Sequence, residues 1–394
     1  MTSNGNMSAQ VIVVGGGIAG LTTALALSQV GISSLVLERS DFEDETGAGI
    51  QLTPNATRVL FQLGLEESLV KVSHEPQTVE TRHWKSGKVL CRIPLQEITA
   101  RYCSHPYLQI HRSELVRILR NECEGRPNIE LMAQVAVEDV EQSKDRVSLY
   151  SSKGKFAAPM VVGADGTHSI ISKQLGNIEE PKYSQWQAWR TVLKEPSLSI
   201  QGSSNTNVWC GTNGHIVHYP VNVERAYNFV FVTKSSEMLS GRWKQNGSVT
   251  ELREYFHGWH QEVNEITNLV DERHLFRWGL FYHARMNHSW SQKRIVLLGD
   301  AIHTTMPFLA QGAALAIEDA VAIANRMKAC SMNVQRTIDS FVKYRKKRVE
   351  RIQSQSERMG VVYHLDFPWS LIRDWCTTWA VTRLAKEIYR YESH

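Results

Sequence analysis

Three short apolar runs along this chain share a pattern: a stretch rich in branched residues that ends abruptly in glycine. Gln10-Val11-Ile12-Val13-Val14 runs into Gly15-Gly16-Gly17, and Ala157 to Val162 runs into Gly163-Ala164-Asp165-Gly166. Arg294 to Leu298 runs into Gly299-Asp300. Runs that are apolar at every position, rather than at alternate ones, predict strands buried on both faces, as in a parallel sheet. After the first run, Leu21 to Gln29 reads as a helix stopped by Gly31, and Ser34-Leu35-Val36-Leu37 as the next strand. An alanine-rich helix is expected from near Ala310, another from Gln335 to Gly360, and a last one from Pro368 to near Tyr391.

In the middle of the chain alternation takes over. His215 to Val221 and Tyr227 to Val232 flank Asn222-Val223-Glu224-Arg225, which predicts a hairpin. Side chains alternate along a strand, so His215, Val217 and Tyr219 share one face while Ile216 and His218 share the other. The expected fold is α/β. A Rossmann-like nucleotide-binding domain is assembled from 1–77, 100–178 and 275–350. A mainly antiparallel sheet, 78–99 and 179–274, is inserted into it, and 351–394 form a helical C-terminal region.

The first turn gives the nucleotide reading its content. Gly15, Gly17 and Gly20 form G-x-G-x-x-G between a strand and a helix, and Glu38, eighteen residues after Gly20, ends the next strand. The first glycine permits a tight turn, the second a close approach of backbone to a pyrophosphate, and the third close packing of helix on strand. The helix N-terminus adds N–H groups and positive partial charge. An acid at Glu38 suits the two ribose hydroxyls of an adenosine and disfavours a phosphate there, which leaves FAD or NAD.

Composition narrows the picture without redirecting it. At 394 residues two domains are expected, and 42% hydrophobic with 21% charged residues is ordinary for a globular protein. The net charge of +4 is spread along the chain and gives no reason to invoke nucleic acid or anionic lipid. The six cysteines are scattered, without a CxxC pair or a zinc-like cluster, so they read as reduced thiols in a cytoplasmic protein that needs no metal. The polar start MTSNGNMSAQ has no signal-peptide pattern, and no apolar stretch reads as a membrane span.

The motifs GGGIAG, GADGTHS and LLGDAIHTTMPFLAQGAALAIEDA occur in that order, supported by GAGIQLTPN at 47–55 and IHRSEL at 110–115. In these the chain resembles the class A flavoprotein monooxygenases, the single-component aromatic hydroxylases. It is most similar to their salicylate and 3-hydroxybenzoate hydroxylase branch, through HIVHYP at 215–220 and PFLAQGA at 307–313. The resemblance implies FAD held by Gly15, Gly17, Gly20, Glu38, Arg39 and Gly49, with Arg112 near the pyrophosphate or ribityl region and Asp300 on the ribityl chain. It also implies that Asp165-Gly166 serves both FAD and NADH or NADPH, and that backbone N–H groups of Gln311, Gly312 and Ala313 face the flavin's pyrimidine edge. Two departures concern nicotinamide docking: Ser172 stands where the family commonly has Arg or Lys, and the usual Asp-Arg pair is missing from 281–285.

The implied reaction is hydroxylation of a small hydroxyaromatic acid by O2, through a flavin C4a-hydroperoxide. Such chemistry needs a base near the substrate hydroxyl and a dry pocket. His215 and Tyr219 are the candidates: one takes the phenolic proton, the other hydrogen-bonds substrate. The alternative is a satisfied sheet histidine beside a packing tyrosine. His218 is expected to be structural, and His303 to support its loop. Pro307 and Phe308 wall the pocket. Family members specific for 3-hydroxybenzoate tend to carry Gln where Pro307 stands, which points toward a salicylate-like substrate. Arg190 could pair with a carboxylate or form a structural salt bridge. Hydroxynicotinate, a urate-like ring and 3-hydroxybenzoate remain alternatives, as do an NAD-dependent dehydrogenase and a redox-silent flavin module. The protein is expected to be a monomer or homodimer.

Overall fold

The computed structural model describes residues 9–42, 48–176, 182–193, 204–222, 226–235, 245–282, 289–365 and 382–392. The expected hairpin turn at 223–225, the departure at 283–285 and the helix start at Pro368 lie outside these residues. Among them a first sheet has six strands, in the order Ser291–Gln292, Ile295–Leu297, Met160–Gly163, Val11–Val14, Ser34–Leu37, Ile129–Met132. All neighbours are parallel except the first pair. Every residue of Val11–Val14, Ser34–Leu37 and Met160–Gly163 is buried, as two-sided coverage requires. Ala157 to Val162 is not one strand, however. Pro159 divides Gly154–Ala158, which joins a separate three-stranded antiparallel sheet, from Met160–Gly163. Proline lacks the N–H that a continuous ladder would use.

The three apolar runs end at the same edge of the parallel sheet, where helices begin. Gly15 takes φ +108°, and a Cβ there would lie 2.4 Å from Ala164 O, so the first two runs meet closely at this turn. Gly299, at φ +57°, sits between Ala19 and Ala316, which belong to the helices Ile18–Gln29 and Gly312–Ala329. Asp300–His303 form a single helical turn directly after Gly299.

The second sheet has eight strands, in the order Gln245–Asn246, Phe276–Tyr282, Lys182–Leu193, Tyr227–Lys234, Gly214–Pro220, Thr206–Gly211, Thr78–His83, Val89–Pro94. It is antiparallel apart from the pairing of Thr206–Gly211 with Thr78–His83. Phe276–Tyr282 pairs with Lys182–Leu193, so the expected boundary at 275 falls too early and this strand belongs to the inserted sheet. The boundary at 350 also falls inside one continuous helix, Val334–Tyr363. Residues 382–389 form a further helix.

The inserted sheet has two different faces. Its rear buries Trp189, Trp209, Ile216, Phe229 and Phe231 against the helices Val249–Tyr255 and Gln261–Leu269. Its front places Ala188, Val232 and Leu280 against Met306 and Phe308 of the third glycine-ended segment and Met359 of the long helix. The front face therefore looks onto the loop that follows Asp300. A buried bond from Gly49 N–H to Asn228 Oδ1, 2.8 Å, ties the two units together.

Candidate active site

The hairpin register is His215↔Val232, Val217↔Val230 and Tyr219↔Asn228, and the neighbouring strand adds Ala188↔Val232 and Arg190↔Val230. Cross-strand partners lie on the same face, so His215, Tyr219 and Arg190 all belong to the front. His218 faces the rear, where its Nε2 accepts a 3.2 Å bond from Trp209 Nε1–H, which makes it structural.

His215 is buried and edge-on to Phe308, with ring centroids 5.5 Å apart. Its Nδ1 lies 2.9 Å from Nε2 of His364, just past the end of the long helix. His364 in turn stacks on Trp186 at 3.9 Å. Burial first, and His364 second, hold the His215 imidazole well below its usual pKa, so it is neutral. Tyr219 is pushed up to about 12 by burial, against the pull of Arg190 and a hydrogen bond with Gln51. Tyr107 donates its hydroxyl to Gln51 Oε1, so one amide joins the two phenols. Tyr107, Tyr363 and His364 had no motif to mark them in the sequence, and Gln51 lies within GAGIQLTPN but was not singled out there.

Arg190 is packed round by protein, and burial lowers its pKa. Its guanidinium lies over Trp278 at 4.5 Å, and its Nε is buried without a hydrogen-bond partner. Among the described residues no carboxylate pairs with it. The structural salt bridge allowed by the sequence is thus not found there. Arg112 begins the helix Arg112–Glu124 close enough to repel Arg190 and to attract Asp300.

Asp300 opens the helical turn Asp300–His303 and keeps an exposed surface in a densely packed part of the fold. Burial raises its pKa, with His303 and Arg112 opposing. Nearby, a Cβ built on Gly17 or Gly312 would meet nothing within 4 Å, whereas one on Gly20 would collide with Gly15 O. The turn is thus tight where helix meets strand and open where a pyrophosphate would approach. Glu38 accepts from Gly16 N–H at 2.6 Å and from Ser40 N–H and Oγ–H at 2.9 Å, and its one remaining acceptor position, on Oε2, suits a ribose hydroxyl. These residues fit a dinucleotide. Arg39 is exposed beside them.

Three expected cofactor residues also make contacts within the protein. Gly49 is buried with its N–H committed to Asn228. Asp165 caps the short helix Ile170–Gln174, accepting from Ser169 Oγ–H at 2.5 Å and from Ile170 N–H at 2.8 Å. The Gln311 side chain is buried and bonds Thr53 and Asn55. Its backbone still precedes Gly312 and Ala313, which open the helix Gly312–Ala329 after Ala310 in a left-handed turn. Pro307 and Phe308 lie in the short helical turn Pro307–Leu309, with Phe308 packed on Gly360.

Among the described residues no helix is long and apolar enough to cross a membrane, and no His, Cys, Asp and Glu cluster could hold a metal. A parallel sheet with a glycine turn, joined to an inserted antiparallel sheet, defines a dinucleotide-binding oxidoreductase fold. Residues 8–356 match the family described as FAD binding domain, and the chain belongs to that family. It is 33% identical over 377 residues to a 3-amino-4-hydroxybenzoate 2-monooxygenase of Streptomyces platensis, covering 95% of this chain and 93% of that one. It is 30% identical over 357 residues to a 3-hydroxybenzoate 6-hydroxylase of Klebsiella oxytoca, covering 90% and 89%. The fold matches Klebsiella pneumoniae HpxO complexed with FAD and uric acid, with a TM-score of 0.84, 21% identity and 98% of each chain covered. The protein is an FAD-dependent aromatic monooxygenase that uses NAD(P)H as co-substrate.

Proposed function

We propose that the enzyme hydroxylates a small aromatic carboxylic acid that carries a ring hydroxyl, a salicylate-like acid or another hydroxybenzoate. The observation that carries this reading is Arg190, a cation on the front face without an acid partner among the described residues. A buried charge needs a counter-charge, and a substrate carboxylate supplies one. Arg190 and His215 stand two strands apart and two residues offset on that face, about 12 Å in backbone spacing. A benzoate ring with its hydroxyl can bridge the two side chains.

Bound in this fold, FAD would supply activated oxygen at the ring, with NADH or NADPH as the source of electrons. The chain's own residues do the rest. Arg190 orients the acid, neutral His215 takes the hydroxyl proton through Nε2, and Tyr219, protonated at working pH, donates a hydrogen bond. Phe308 and Met306 exclude water from the oxygen side. Pro307 supports an ortho arrangement over 3-hydroxybenzoate, since it offers no side-chain donor. Gly15, Gly17, Gly20, Glu38 and Arg39 would hold the adenosine end, with Arg112 and Asp300 nearer the flavin. The scattered cysteines support a cytoplasmic enzyme, acting as a monomer or homodimer.

A panel of hydroxybenzoates, hydroxynicotinates and the matching phenols tests the reading, with O2 uptake, peroxide and product recorded for each. Coupled hydroxylation confined to the ring acids is the expected result. Equal turnover of phenols lacking a carboxylate, or no stimulation by any hydroxyaromatic acid, overturns it.

A further inference from the structure

We infer that His215 and His364 form a two-step proton relay, in which His215 takes the substrate hydroxyl's proton at Nε2 and passes its own Nδ1 proton to His364. The inference rests on the proposed role of His215 and adds a residue from a different part of the chain. Its basis is geometric. His215 Nδ1 and His364 Nε2 are 2.9 Å apart, within hydrogen-bond reach. Their rings lie 5.0 Å apart at 46°, so the bond joins ring edges and is not a stack. With Nδ1 engaged in this way, Nε2 is the nitrogen that remains for substrate.

The two imidazoles suit the two ends of a transfer. His215 is buried between Phe308 and Tyr363, surroundings that disfavour a lasting positive charge. His364 is half-buried and lies flat against the Trp186 indole at an angle of 17°, where the ring face attracts a cation. The other titratable groups beside His215 are Tyr363, Tyr219 on its own strand, and Cys210 opposite it on Thr206–Gly211. Burial raises both tyrosines and keeps them protonated, so neither competes for the proton. Lys234 stands opposite Trp186 at the rim.

The transfer balances. The substrate O–H bond breaks and a new N–H forms at His215 Nε2. The His215 Nδ1–H bond breaks and a new one forms at His364 Nε2. Phenolate and a His364 imidazolium result, and His215 is neutral again as the other tautomer. His364 acts through His215 and is a positioning and relay residue, not one that touches substrate.

The test uses FAD-loaded enzyme with salicylate or whichever ring acid the panel selects. His364→Gln is expected to slow hydroxylation roughly tenfold or more below neutral pH, with FAD and substrate affinity unchanged. The rate should recover with added imidazole and as the pH rises. In mixtures of H2O and D2O the parent enzyme should give a bowed rate dependence, the mark of two protons moving together, and this measurement needs no variant. A slow His215→Ala beside a His364→Gln with the parent's rate and pH profile overturns the relay and leaves His215 as a lone base. A slow His364→Gln that neither imidazole nor pH restores makes His364 merely structural. If His215→Ala itself is unimpaired, the proposed role of His215 falls first.

Discussion

His303 Nε2 lies 2.5 Å from Asp319 Oδ2, while the other oxygen of the same carboxylate holds Arg345 Nε at 2.7 Å. All three side chains are buried. Asp319 also accepts from Gly299 N–H, and neighbouring Glu318 binds Arg345, Arg348 and Asn55, whose amide reaches Gln311. The network therefore fixes both ends of the segment from Gly299 to Gly312 that lines the cleft, with His303 as one of its struts.

Replacing Asp319 by Ala leaves Arg345 and His303 short of a partner, and removing one member of a buried pair costs about 3–5 kcal/mol. Burial alone would raise the Asp319 pKa, but His303 and Arg345 outweigh it and hold the carboxyl below its usual value. This stabilisation is present above the unfolded carboxyl's pKa and is lost as pH falls through the folded one. Urea unfolding of Asp319→Ala should show that loss at neutral pH together with reduced FAD content. His303→Asn should weaken FAD retention in the same way and keep the parent's pH–rate profile. A shifted profile would make His303 a catalytic group.

Arg190→Gln removes the cation proposed to bind the substrate carboxylate. A charge-assisted hydrogen bond is worth about 1.5–3 kcal/mol, so KM for the ring acid should rise roughly tenfold to a hundredfold. The corresponding phenol, without its carboxylate, should be turned over as slowly by the variant as by the parent. An unchanged KM for the acid would remove Arg190 from the substrate site.

The glycine turn separates folding from cofactor binding. Gly17→Ala adds a methyl group where the structure is open, at an ordinary negative φ, so the apoprotein's stability should move by no more than about 0.5 kcal/mol. FAD affinity should drop nonetheless, because the methyl group occupies the cofactor's approach. Gly20→Ala places its methyl group on Gly15 O and should destabilise the protein by about 1–3 kcal/mol with or without FAD. Flavin titration of the two variants checks the contrast, and a Gly17→Ala protein with the parent's FAD affinity would refute it.

Local patterns made much of this architecture readable in the sequence. Continuous apolar runs marked the parallel strands, and period-two alternation put His215 and Tyr219 on one face and His218 on the other. The pattern failed where long-range pairing decides. Phe276–Tyr282 reads FRWGLFY, with nothing local to assign it to the inserted sheet; its hydrogen bonds to Lys182–Leu193 do that. His364 is 149 residues from His215 and meets it only because the helix Val334–Tyr363 docks across the cleft. Gly49 matched a cofactor motif, yet its contact with Asn228 depends on how the two sheets are joined.

The buried histidines set a limit on acid stability. Burial lowers His218 to about 3, with Arg82 adding to the effect, and lowers His215 well below its usual value. Between the folded and unfolded pKa values the unfolded chain binds a proton that the folded one refuses. Stability therefore falls as pH drops below about 6.5, by about 1.4 kcal/mol per pH unit for each fully responding group. From about pH 7 to about pH 5 the unfolding free energy should fall by about 2 kcal/mol for His218 alone. His218→Gln keeps an acceptor for Trp209 Nε1–H but cannot titrate, so its stability curve should be flatter than the parent's by one proton across that range. Parallel curves for the two proteins would mean that His218 is not held neutral by the fold.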